Sequence, residues 1–122
     1  FAEQLGVPAR HSDFCRLHTC AWERRAKLSE HFWLHKKQIR LEAYRPTQQF
    51  DLIYFDAFAP QAQPELWTER IFDMLYKSLR PEGFLVTYCA QGHFKRTLKQ
   101  VGFEVERLPG PPGKREMTRA WK

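Results

Sequence analysis

The sequence predicts an α/β domain, a mostly parallel sheet with flanking helices that ends in an antiparallel hairpin. Three observations predict it. Leu52-Ile53-Tyr54-Phe55 and Phe84-Leu85-Val86-Thr87-Tyr88-Cys89 are short apolar runs bounded by polar residues, the pattern of strands buried on both faces of a parallel sheet. A segment of helical apolar spacing joins them. Beyond a second such segment, two strand-like stretches flank the turn-forming Pro109-Gly110-Pro111-Pro112-Gly113.

The elements follow in order. Residues 1–49 form a poorly defined segment, with part of 12–28 helical and 32–43 a single strand, straight or bent. A strand over 50–56 comes next. The helix that follows is expected from Pro64 to Leu79, because proline suits a first helical turn where its missing N–H is not needed. Leu66, Ile71, Leu75 and Leu79 give it an apolar face, widened by Phe72, Met74 and Tyr76. Arg80-Pro81-Glu82-Gly83 is expected to stop it. After the second buried strand, a helix over 93–101 carries Phe94, Leu98 and Val101 on one face, with Gly102 suited to close it. Phe103 and Val105 alternate with polar residues as a half-buried strand, and Arg115 to Trp121 returns antiparallel to it.

Composition narrows the class of protein. At 122 residues the chain is expected to be one domain. Its net charge of +6 favours a polyanionic partner such as nucleic acid. Three cysteines, an odd number, argue against a disulfide framework and for a reducing, cytoplasmic setting. No apolar stretch approaches the roughly 20 residues that span a bilayer. The first residue is not methionine, and the amino terminus lacks the basic start and apolar core of a signal peptide, so the chain is expected to be a piece of something longer.

Asp56-Ala57-Phe58-Ala59-Pro60, Pro64-Glu65-Leu66-Trp67-Thr68, Leu85-Val86-Thr87-Tyr88, Gly102-Phe103-Glu104-Val105 and Gly110-Pro111-Pro112-Gly113-Lys114-Arg115-Glu116-Met117 together resemble the MnmC-type methyltransferase family. The resemblance covers roughly 50–122. It implies a class I, Rossmann-like fold dependent on S-adenosylmethionine, acting on tRNA to convert 5-aminomethyl-2-thiouridine at the wobble position into its methylaminomethyl form. It also implies an FAD-dependent oxidase domain as partner, fused or separate. The chain departs from that pattern in one respect. The family carries a glycine-rich cofactor loop after its first strand and an acid after its second, whereas the only glycine here before Gly83 is Gly6. The expectation is therefore a single, incomplete methyltransferase domain over 1–122, with the amino-terminal strands missing and a family-like half over 50–122. Residues 32–43, without their neighbouring strands, are expected to be loose or rearranged.

In open α/β sheets ligands bind at the carboxyl edge, where Asp56 would sit. A carboxylate there can take the proton of an alkylamine, which is mostly charged at neutral pH; the alternative is a turn-forming aspartate bonded to nearby N–H groups. The resemblance makes Asp56 the acid beside the transferred methyl, and hence both catalytic and cofactor-binding. Phe58 offers a flat face to a base or to the sulfonium, or else packs beneath the loop. Pro60 rigidifies the loop, and Trp67 is either core or substrate contact. Glu65 favours the positive end of the helix it opens. Lys95, Arg96 and Lys99, with Lys114, Arg115 and Arg119, form a basic surface suited to phosphates or simply a solvated face. Glu116 is expected to pair with Arg115 or Arg119. Cys15, His18, Cys20, His31 and His35 contain enough ligands for zinc, but Cys-x2-His-x-Cys is not a known finger spacing, so no metal is assigned.

Two rival readings remain: a catalytically inactive, RNA-binding relic of the same fold, and a nucleotide-dependent oxidoreductase, which would need a glycine loop too and does not usually end in this hairpin.

Overall fold

The computed structural model describes residues 11–47, 49–113 and 116–122. The chain divides into two compact units, residues 1–40 and 41–122.

In the first unit, helix α1 (His11–Thr19) precedes a two-stranded antiparallel hairpin, β1 (Arg25–Ser29) and β2 (Phe32–His35). Period-2 alternation builds it: Ala26, Leu28 and Leu34 are half-buried while Arg25, Lys27, Trp33 and His35 point outward. Arg16 of α1 donates to the Lys27 carbonyl at 3.5 Å, and Leu17 shares a cavity of about 270 Å³ with Leu28 and Phe32. The single strand expected over 32–43 is thus confined to 32–35, because its partner is the adjacent 25–29 rather than a distant strand.

The second unit holds β3 (Phe50–Tyr54), α2 (Glu69–Ser78), β4 (Leu79–Thr87), α3 (Gly92–Val101), β5 (Glu104–Pro109) and β6 (Glu116–Trp121). The sheet order is β3-β4-β6-β5, with β3 and β4 parallel and β6 antiparallel to both its neighbours. This is the mixed α/β sheet with a closing hairpin that the sequence predicts.

Several boundaries differ for physical reasons. Pro64 opens only a 3-10 turn over Pro64–Leu66, and α2 starts later because the Thr68 hydroxyl accepts the Ile71 N–H at 3.3 Å, an N-cap. The helix ends at Ser78. Arg80-Pro81-Glu82-Gly83 does not merely stop it but forms an irregular start to β4, with Glu82 at φ 67° and a register shift against β3. Gly102 closes α3 at φ 125°: its N–H reaches the Lys99 carbonyl and the Phe103 N–H that of Leu98, both at 3.1 Å, a Schellman arrangement.

Neither apolar strand is buried on both faces. β3 is an edge strand whose Leu52 and Tyr54 are exposed, and in β4 only Leu79, Gly83, Leu85 and Thr87 are buried. Alternation shows why: residues of one face join the core with α2 and α3, while on the other Phe84 meets its cross-strand partner Trp121 at 4.5 Å. The core joins Ile71, Phe72 and Leu75 of α2 and Phe94 and Leu98 of α3 to Leu79, Leu85, Phe103 and Ala120. Phe72 is fully enclosed, with ring contacts to Phe55, Trp67 and Phe94.

Phe72→Ala should cost about 3–5 kcal/mol in urea unfolding of the chain. Phe58→Ala, at a side chain 75% exposed, should cost less than about 0.5 kcal/mol in the same measurement.

Candidate active site

Parallel pairing brings the carboxyl ends of β3 and β4 to one edge. The ladder runs past the last assigned pair, with the Phe55 N–H donating to the Val86 carbonyl at 2.9 Å. Phe55 is therefore buried and Asp56, the next residue, is exposed where the chain leaves the sheet. The Tyr88 hydroxyl, just beyond the end of β4, donates to the Ala57 carbonyl at 2.8 Å and ties the two strand ends together.

The loop after Asp56 is held from three sides. The Ala62 and Gln63 N–H groups both reach the Ala59 carbonyl, at 2.8 and 2.9 Å, around a turn with Pro60 at its second position. The Gln63 side-chain oxygen accepts the Phe58 N–H at 3.3 Å. The Trp67 indole N–H donates to the Phe58 carbonyl at 2.7 Å. Trp67 itself is core: it packs edge-on to Phe55 and Phe94 at 5.0 and 4.9 Å, so of its two readings the structure supports packing. Its polar tip fixes the backbone of Phe58 and leaves the Phe58 ring open to solvent.

Asp56 lines a cavity of about 450 Å³, walled by Ile53, Phe55, Ala57, Leu66 and Leu75 with Tyr44 and Ser78. An acid at the mouth of an apolar recess can exchange a proton with a bound amine. Tyr88 feels that acid. Its pKa lies above the ordinary 10.0, through loss of solvent first and then the negative charges of Cys89 and Asp56. Sequence reasoning missed Tyr88, which reads only as the end of an apolar strand.

The basic residues are not equivalent. Lys95 is largely covered and paired with Glu116 at 3.3 Å, while Arg96 and Lys99 are exposed. Of the two partners expected for Glu116, Arg115 lies outside the described residues and Arg119 does not take the role, because the β5–β6 register sets Glu116 opposite Pro109, with Arg107 3.9 Å away. Arg119 instead meets Glu106, its cross-strand partner, at 2.8 Å. Two accepted hydrogen bonds, from Trp121 and Arg119, hold the Glu106 carboxyl below its usual range. Lys114 and Arg115 lie outside the described residues. Among the described residues no three His, Cys, Asp or Glu side chains converge as a metal site, and no helix is long and apolar enough to cross a membrane.

The donor set fits one end of S-adenosylmethionine. An acid and an open aromatic ring suit the sulfonium and its methyl. The described glycines do not add a phosphate-style or ribose cradle at the strand ends: Gly83 is packed against backbone in the middle of β4, and Gly92 opens α3.

Comparison with known proteins agrees with the fold. A "tRNA 5-methylaminomethyl-2-thiouridine biosynthesis bifunctional protein MnmC" of Cupriavidus necator is 46% identical over 68 residues, 56% of this chain and 10% of that protein. The protein of the same name from Azoarcus is 39% identical over 69 residues, covering 57% of this chain and 11% of its own length. The chain thus spans about a tenth of the length of these curated relatives. The crystal structure of MNMC2 from Aquifex aeolicus shares the fold, with a TM-score of 0.62 and 24% identity over 70% of this chain and 30% of that one. Residues 11–122 match the profile described as S-adenosyl-L-methionine-dependent methyltransferase, and the chain belongs to that family.

Proposed function

We propose that this chain is the acceptor-binding part of a tRNA methyltransferase that converts 5-aminomethyl-2-thiouridine at the wobble position into its methylaminomethyl form. The observation that carries the reading is the exposed Asp56 carboxylate at the carboxyl edge of β3, lining an apolar recess and acting on Tyr88. The names of the Cupriavidus necator and Azoarcus relatives support the product, and "bifunctional" supports a second activity, which the resemblance gives as an FAD-dependent oxidase, fused or separate. The family match over 11–122 supports treating both compact units as parts of one methyltransferase domain. An odd number of cysteines, three in all, suits a cytoplasmic setting.

S-adenosylmethionine, when bound, supplies an electrophilic methyl group on a sulfonium. The chain's own residues prepare the acceptor. Asp56 takes the proton of the substrate ammonium, freeing the nitrogen lone pair. The Phe58 ring stabilises positive charge next to it and, with Pro60 shaping the loop, holds the amine in line. Trp67 acts through the Phe58 carbonyl as a positioning residue. Arg96, with Lys95 where it is released from Glu116, contacts RNA phosphates; the resemblance adds Lys114 and Arg115 to that surface.

The test compares Asp56→Asn with the natural residue in a protein that contains the whole methyltransferase domain. Methyl transfer to tRNA should fall by about 10²–10⁴-fold, while affinity for S-adenosylhomocysteine by calorimetry changes no more than about threefold. Equal losses would make the acid a binding group only. Absence of any S-adenosylhomocysteine binding would favour the RNA-binding relic.

Tyr88 gives a second check. Its folded pKa is raised, so its contribution to stability is intact below the unfolded value near 10 and is lost as pH rises through the folded value. Tyrosinate absorbance should show a component ionising above pH 10 that moves down in Asp56→Asn and vanishes in Tyr88→Phe.

A further inference from the structure

The outward face of the β1–β2 hairpin is not used by the site above. Its cross-strand partners are Arg25 with His35 and Lys27 with Trp33, all four exposed. The Arg25 guanidinium lies 4.6 Å and the Lys27 ammonium 5.6 Å from the centroid of the Trp33 ring, yet Trp33 remains 46% exposed. Lys36, one residue beyond the outward His35, turns to the other side: it lies 5.0 Å over Trp22 and donates to the His18 carbonyl of α1 at 3.1 Å. Over 11–40 there are seven lysines and arginines against three acids. One of those acids, Glu23, is occupied by the Gln38 N–H.

We propose that this hairpin is a binding platform for single-stranded RNA, with Trp33 stacking an unpaired base and Arg25 and Lys27 meeting the phosphates on either side of it. Two features select this occupant. An aromatic face flanked by cations matches a base flanked by phosphates, and stacking needs bases that are not already paired. A membrane surface would call for a continuous apolar face, but here the aliphatic residues Ala26, Leu28 and Leu34 sit on the other side of the hairpin, where Leu28 shares a cavity with Leu17 of α1. The proposal rests on the tRNA reading only for which RNA is bound.

The test uses the full chain and a short fluorescein-labelled oligouridylate, read by anisotropy and tryptophan quenching without cofactor. Trp33→Ala should weaken binding about tenfold or more, Trp33→Phe should retain most of it, and Lys77→Ala on α2 should stay within about twofold. Arg25→Ala should lower the slope of log affinity against log salt by about one. Should Trp33→Ala unfold the hairpin by circular dichroism, the Arg25→Ala slope and the Trp33→Phe affinity decide alone. Affinity unchanged within about twofold in a folded Trp33→Ala, equal affinity for duplex RNA, or emission shifts with phosphatidylserine vesicles but not with RNA would each overturn the proposal. RNA binding through Trp33 in a protein that transfers no methyl group would sink the methyltransferase reading and leave this one standing.

Discussion

Parallel pairing of β3 with β4 is the constraint on which the site depends. Two parallel neighbours end at the same edge, so the residue that leaves β3, Asp56, and the residue that follows β4, Tyr88, must emerge together. The connection that makes this possible runs through α2, whose Ile71, Phe72 and Leu75 enter the core. Nothing in the loop itself need bring the acid and the hydroxyl into proximity; the topology already has.

The loop is then fixed by an aromatic cluster rather than by charge. Phe55, Trp67, Phe72 and Phe94 contact one another with ring centroids 4.9 to 6.1 Å apart, most of them edge-on or tilted. Trp67 belongs to this cluster by its ring and to the loop by its indole N–H. Core packing and site geometry therefore share one side chain, which explains how Phe58 can be so exposed on a backbone that is so well anchored.

Much of this was legible in the sequence. The two apolar runs, the helices between and after them, Gly102 and the closing hairpin all follow local rules of periodicity and turn chemistry, and the motif around Asp56 marks the strand edge on which the proposed site is built. The failures share a cause. Whether a strand is covered on one face or two is decided by its neighbours, so Leu52 and Tyr54 read as core yet lie on an open edge. Charge pairing is likewise set by strand register, which placed Arg119 opposite Glu106 and so away from Glu116. The β1–β2 hairpin went unread because Arg25-Ala26-Lys27-Leu28-Ser29 alternates between charge and aliphatic carbon with no large apolar run, although its period of two is plain.

Gly83 shows how little room the arrangement leaves. A Cβ there would stand 2.9 Å from the Arg80 carbonyl oxygen and 3.1 Å from that of Asp51. Both obstacles are main chain, so no change of rotamer could relieve them. Any larger residue would act as a wedge between the middle of β4 and the start of β3, the two strands beyond whose carboxyl ends Asp56 and Tyr88 emerge.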